Sequence, residues 1–104
     1  METVIYKIKE GKLDQWKNWC LKLNSTLRNE AIQTLKEENL TMEGFFLFKI
    51  NNEHYTVGLS YAEGESSLAL DSDLNNMHKK MKNECLEKIE RGRGEKLYFL
   101  EIEK

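Results

Sequence analysis

The sequence predicts a single α+β domain with the element order β-α-β-β-α-β. Three observations carry this. Residues 41–63 hold two runs rich in β-branched and aromatic residues around Asn51-Asn52-Glu53, the pattern of a β-hairpin. Apolar residues recur at steps of three and four from Leu13 and again from Leu74, which marks two helices. Alternating runs near both ends supply the remaining strands.

In the first run, residues 3–9, Val4, Tyr6 and Ile8 share one face and Thr3, Ile5 and Lys7 the other. Lys9-Glu10-Gly11-Lys12 ends it, with Gly11 free to take a positive φ. A helix is then expected over residues 13–39, its stripe formed by Leu13, Trp16, Cys20, Leu23, Leu27, Ala31 and Leu35. Trp19 borders that stripe. Leu21 and Ile32 lie well off it, which suggests a contact on a second side. Asn39 suits the C-terminal cap.

In the hairpin, Glu43, Phe45, Leu47 and Lys49 face one way and Met42, Gly44, Phe46, Phe48 and Ile50 the other. On its second strand Tyr55, Val57, Leu59 and Tyr61 oppose Thr56, Gly58, Ser60 and Ala62. Residues 64–73 form a connector with a helical turn expected at 66–70, and Ser72 or Asp73 is the N-cap of the second helix. The second stripe runs Leu74, Met77, Met81, Cys85 and Ile89, and Arg91-Gly92-Arg93-Gly94 is expected to end that helix. Residues 96–103 alternate again and are expected to form the fourth strand. Right-handed crossovers then close a four-stranded antiparallel sheet with two helices on one face, the ferredoxin-like arrangement. No repeat, low-complexity tract or internal domain boundary interrupts it.

The run Phe45-Phe46-Leu47-Phe48 is apolar on both sides. A sheet with helices on one face and water on the other would not favour that, so the second face is either covered by another subunit or prone to aggregate. We read it as a sheet-to-sheet homodimer.

Composition excludes several classes. Charged residues make up 33% of the 104 residues and the hydrophobic set 39%, which suits a soluble globular domain. A net charge of −2 gives no general attraction to nucleic acid or to anionic membranes. No apolar run approaches the length of a membrane span, and the first residues lack a signal-peptide pattern, so cytosolic residence is expected. Cys20 and Cys85 lie on helical stripes and read as small core residues, the alternatives being a disulfide or a nucleophile. No His-x3-His or Cys-x2-Cys spacing marks a metal site, and no glycine-rich loop marks a phosphate site; neither metal nor cofactor is expected.

Two residues stand out as proton-handling candidates. His78 borders the second stripe, where it suits a general acid or base, or else a boundary residue bonded to backbone. Glu43 alternates with Phe45 and Leu47; pointing into an apolar face it would have a raised pKa, and at a strand end it would merely be solvated. Trp16, Tyr6, Tyr55 and Tyr61 are candidate walls of a pocket between helices and sheet, the alternative for each being plain core. Of these Tyr61 stands where a cleft would open.

Glu10-Gly11-Lys12 leading into a helix with Trp16, Glu43-Gly44-Phe45-Phe46-Leu47 opening the hairpin, and Tyr61-Ala62-Glu63 followed by a helix with His78 together resemble the dimeric α/β-barrel superfamily. Within it the chain is most similar to an uncharacterised family of small bacterial proteins. The resemblance spans nearly the whole chain and rests on pattern, with no single diagnostic motif. It implies two sheets packed face to face and one pocket per subunit. Better-known members include L-rhamnose mutarotases, muconolactone isomerases, and antibiotic-biosynthesis and haem-degrading monooxygenases, which act on small molecules, often with no added cofactor. The haem-degrading pattern pairs a helix histidine and a tryptophan with a first-strand asparagine, and residues 3–9 contain none. In mutarotases a tyrosine accompanies the histidine, and none here aligns to it. RNA-recognition modules share the element order, but the acidic charge and the missing basic-Gly-aromatic signature argue against them. The sequence therefore points to a small-molecule pocket with cofactor-free isomerase, epimerase or monooxygenase chemistry, the alternative being a non-catalytic dimeric binding or interaction module.

Overall fold

In the computed structural model, residues 1–64 and 70–102 are described. They form β1 (Glu2–Ile8), α1 (Leu13–Leu23), α2 (Arg28–Glu37), β2 (Met42–Ile50), β3 (Glu53–Tyr61), α3 (Asp73–Cys85) and β4 (Leu86–Arg93). The strands make one sheet in the order β2-β3-β1-β4, with every neighbouring pair antiparallel. The domain is α+β.

The hairpin forms as its sequence requires. Asn51 and Asn52 take φ of 51° and 66°, left-handed values that asparagine tolerates and that a two-residue hairpin loop needs. Gly11 supplies the positive φ, +76°, between β1 and α1.

The single helix expected over 13–39 is two. Asn24, Ser25 and Thr26 break it, because short polar side chains compete for backbone groups. Ser25 Oγ donates to the Leu21 carbonyl at 2.6 Å, and the Leu27 amide reaches back to the Lys22 carbonyl at 2.8 Å. Leu27 and Ala31 still pack on the core, so the apolar period survives the break. Leu21 and Ile32 stay exposed rather than finding a second partner. At the end of α2, Asn39 (φ 58°) donates to the Lys36 carbonyl and Leu40 to the Leu35 carbonyl, a Schellman motif.

The last strand is also displaced from its expected place. The chain passes from α3 at Cys85 straight into extended backbone at Leu86, and β4 is residues 86–93, not 96–103. Arg91 to Arg93 therefore belong to a strand, not a helix cap. Helix-favouring Glu, Lys and Arg made this stretch look helical, but seven pairings with β1 and burial of Leu86 opposite Ile8 outweigh local propensity. A register shift opposite Ile5 and Tyr6 leaves Ile89 as the extra residue and puts both Lys88 and Arg91 across from inward residues of β1. The helical turn expected at 66–70 lies almost wholly outside the described residues.

One sheet face carries Tyr6, Ile8, Phe45 and Leu86 against the helices. Its core is Ile8, Trp16, Trp19, Leu74, Cys85 and Leu86, ringed by partly buried residues that include Leu13, Cys20 and Met81. Both cysteines are free, and burial pushes the Cys20 thiol up to about 11 and the Cys85 thiol upward too. Met42, Phe46, Phe48, Tyr55, Val57, Leu59 and Tyr61 lie on the other face. Among the described residues no helix is long and apolar enough to cross a membrane.

Phe45 lies across Gly58, its strand partner, and a Cβ there would meet the ring at 2.8 Å. The ring cannot easily yield, because Trp16 stands edge-on at 5.2 Å and His78 at 5.7 Å. Gly58→Ala should therefore lower unfolding free energy by about 1–3 kcal/mol in urea titration. Gly92→Ala, where a Cβ meets nothing within 4 Å among the described residues, is the control expected to be nearly neutral.

Candidate functional site

On α3 the residues Asn75, His78 and Lys82 fall three and four apart and so share one side of the helix. Ser72 starts that helix, its hydroxyl accepting the Asn75 amide at 3.1 Å. The side they form overlooks the inner ends of β1, β2 and β4 and bounds a cleft of about 670 Å³. Glu43, Phe45, Tyr6, Lys88 and Arg91 line it from the sheet.

His78 is held by aromatic side chains. Trp19 donates its indole N–H to His78 Nδ1 at 2.8 Å. Trp16 and Trp19 are each inclined 29° to the imidazole, at 6.1 and 6.0 Å, and Phe45 stands edge-on. Burial, helped by the nearby Lys82 ammonium, lowers the His78 pKa to about 4. The ring is neutral at physiological pH.

Glu43 has the opposite shift. Burial raises its pKa, the Glu38 carboxylate adds to the effect, and Lys82 opposes it. Burial lowers the Lys82 pKa, against the pull of Glu43. Burial also raises Tyr6, although Arg91 opposes it. In this set a carboxylate and an ammonium, both with their charged forms disfavoured by burial, face each other beside a neutral imidazole that can only hydrogen-bond at physiological pH.

Glu38 anchors the rim. It is 6% exposed, and its Oε2 accepts from the Leu70 amide at 3.0 Å and from Asn75 Nδ2 at 2.8 Å. Asn75 Nδ2 also reaches the Leu70 carbonyl at 2.8 Å. The end of α2 is thereby tied to the start of α3.

Of the residues singled out from sequence, His78, Glu43 and Tyr6 line this cleft. Trp16 is 2% exposed and stands behind His78 as core, not as a wall. Tyr55 and Tyr61 lie on the opposite sheet face: Tyr55 donates to Glu53 at 3.0 Å, and Lys96 sits 4.4 Å above the Tyr61 ring. Sequence reasoning passed over Lys82, Glu38, Asn75 and the part played by Trp19. Lys82 was signalled by its place one turn beyond His78; nothing in the pattern marked Glu38. Among the described residues no group of three or more His, Cys, Asp or Glu is placed to hold a metal ion.

A family model described as a family of unknown function (DUF6176) matches residues 1–102, and the chain belongs to that family. No curated protein and no solved structure gives a significant match.

The lowered His78 pKa has a consequence for stability. Between about pH 6.5 and about pH 4 the unfolded chain binds a proton at His78 that the native state refuses, so stability falls as pH falls through that window. Glu43, raised in the folded state, works the other way: its contribution is present at low pH and is lost as pH rises through its folded value. Urea titrations near pH 7 and near pH 5 should show wild type losing about 1–2 kcal/mol more than His78→Gln, which cannot titrate. Equal losses would contradict the burial of His78.

Proposed function

We propose that this protein is a cytosolic homodimer whose subunits each bind a small organic molecule in the cleft under α3, with Glu43 moving a proton without an added cofactor. The observation that carries the reading is the convergence of Glu43, Lys82 and His78 on one cleft, each with its charged form disfavoured by burial. Proton transfer of the isomerase or epimerase kind needs such groups. Monooxygenation would use the same cleft.

The strand order β4-β1-β3-β2 with helices on one face supports a ferredoxin-like domain of the dimeric α/β-barrel kind. Support for a second copy comes from the helix-free face of the sheet. Phe46 is 57% and Ile50 50% exposed there, and Leu97, Leu100 and Ile102 beyond β4 are 84–91% exposed. This is more apolar surface than a monomer ordinarily leaves in water. The residues after β4 run beside that face, where Lys96 covers Tyr61.

Native mass spectrometry on gently purified protein tests both halves of the reading. The expected spectrum is a dimer carrying an additional small-molecule mass. A bare dimer would favour a non-catalytic interaction module, and a clean monomer would overturn the dimer.

A further inference from the structure

The Trp19–His78 contact determines which nitrogen of the imidazole can serve a ligand. An indole N–H donates and cannot accept, so the nitrogen it reaches at 2.8 Å must offer a lone pair. That nitrogen is Nδ1, and a neutral imidazole with a bare Nδ1 carries its proton on Nε2. An imidazolium would set two N–H groups against each other in an apolar surround. Nε2 has no hydrogen bond to protein among the described residues, while His78 lines the cleft beside Glu43 and Lys82.

We infer that Trp19 is a positioning residue that holds His78 as the Nε2–H tautomer, so that His78 gives the cleft a hydrogen-bond donor and selects ligands presenting a carbonyl or carboxylate oxygen. This rests on the small-molecule reading of the cleft. It divides the labour between the two residues singled out from sequence: His78 is a fixed donor to ligand oxygen, not a base, and Glu43 is the group that accepts a proton. Lys82, on the same side of α3, adds positive charge where that oxygen would sit.

Nitrogen-15 spectra of the imidazole side chains near neutral pH, with and without probe, test the inference. The wild-type protein should show His78 with a proton-bearing Nε2 and a bare Nδ1. Trp19→Phe, which keeps an aromatic ring and removes the N–H, should lose that fixed pattern and show a mixture of tautomers. Pyruvate, which offers only oxygen acceptors, should shift the Nε2–H resonance, and propylammonium, which offers only donors, should not. Pyruvate binding should weaken about tenfold in His78→Leu and largely recover in His78→Gln, whose amide keeps a donor. A proton on Nδ1, or an imidazolium, in the wild-type spectrum would overturn the inference even if Trp19→Phe fails to fold, and would leave the cleft reading intact. The expected tautomer with a response to propylammonium instead of pyruvate would overturn the ligand class. The expected tautomer with no response to either probe would overturn the ligand class together with the cleft reading beneath it.

Discussion

The hydrogen bond from Trp19 to His78 joins α1 to α3, its donor buried in the core and its acceptor ring half-buried where the core meets the cleft. Leaving a buried acceptor unpaired costs about 1–3 kcal/mol, so the bond fixes how the two helices face each other. A second cross-link, Gln15 to Glu84 at 2.9 Å, lies at the surface and is correspondingly weaker. The helix pair therefore keeps its alignment chiefly through buried aromatic packing and that one bond.

From there the constraint spreads to the sheet. His78 and Trp16 pin Phe45, Phe45 lies over Gly58, and Gly58 pairs with Val4 at the centre of the sheet. Glu43 lies two residues before Phe45 on the same face of β2, so placing the aromatic ring also places the carboxylate. On the other side, the extra residue in β4 turns Lys88 and Arg91 toward the same cleft. The packed aromatic cluster and the extra residue of β4 together bring ionisable groups from three different elements to one cleft.

Much of this was legible in the sequence. The hairpin, its turn and the faces of its strands follow from period and residue type, and the same patterning singles out His78 and Glu43, which both line the cleft. What was not legible depends on contacts distant in sequence. Residues 86–93 carry helix-favouring side chains, and only pairing with β1 makes them a strand. The break at Asn24 to Thr26 interrupts a helix whose apolar period continues unbroken, so periodicity could not reveal it. Tyr61 ends a strand where a cleft would open, but the pleat turns it to the other face. Glu38 is a surface-type residue that becomes buried only because Leu70 and Asn75 close over it.

The central claim is that the aromatic cluster holds His78 neutral beside the Glu43 carboxyl. It is tested most directly by following the His78 ring Cε1–H resonance as pH is lowered. The account expects no titration through neutrality and a midpoint near 4, the value set by burial and Lys82. A midpoint near 6.5 would mean that the surround does not disfavour the imidazolium, and would contradict the site as described.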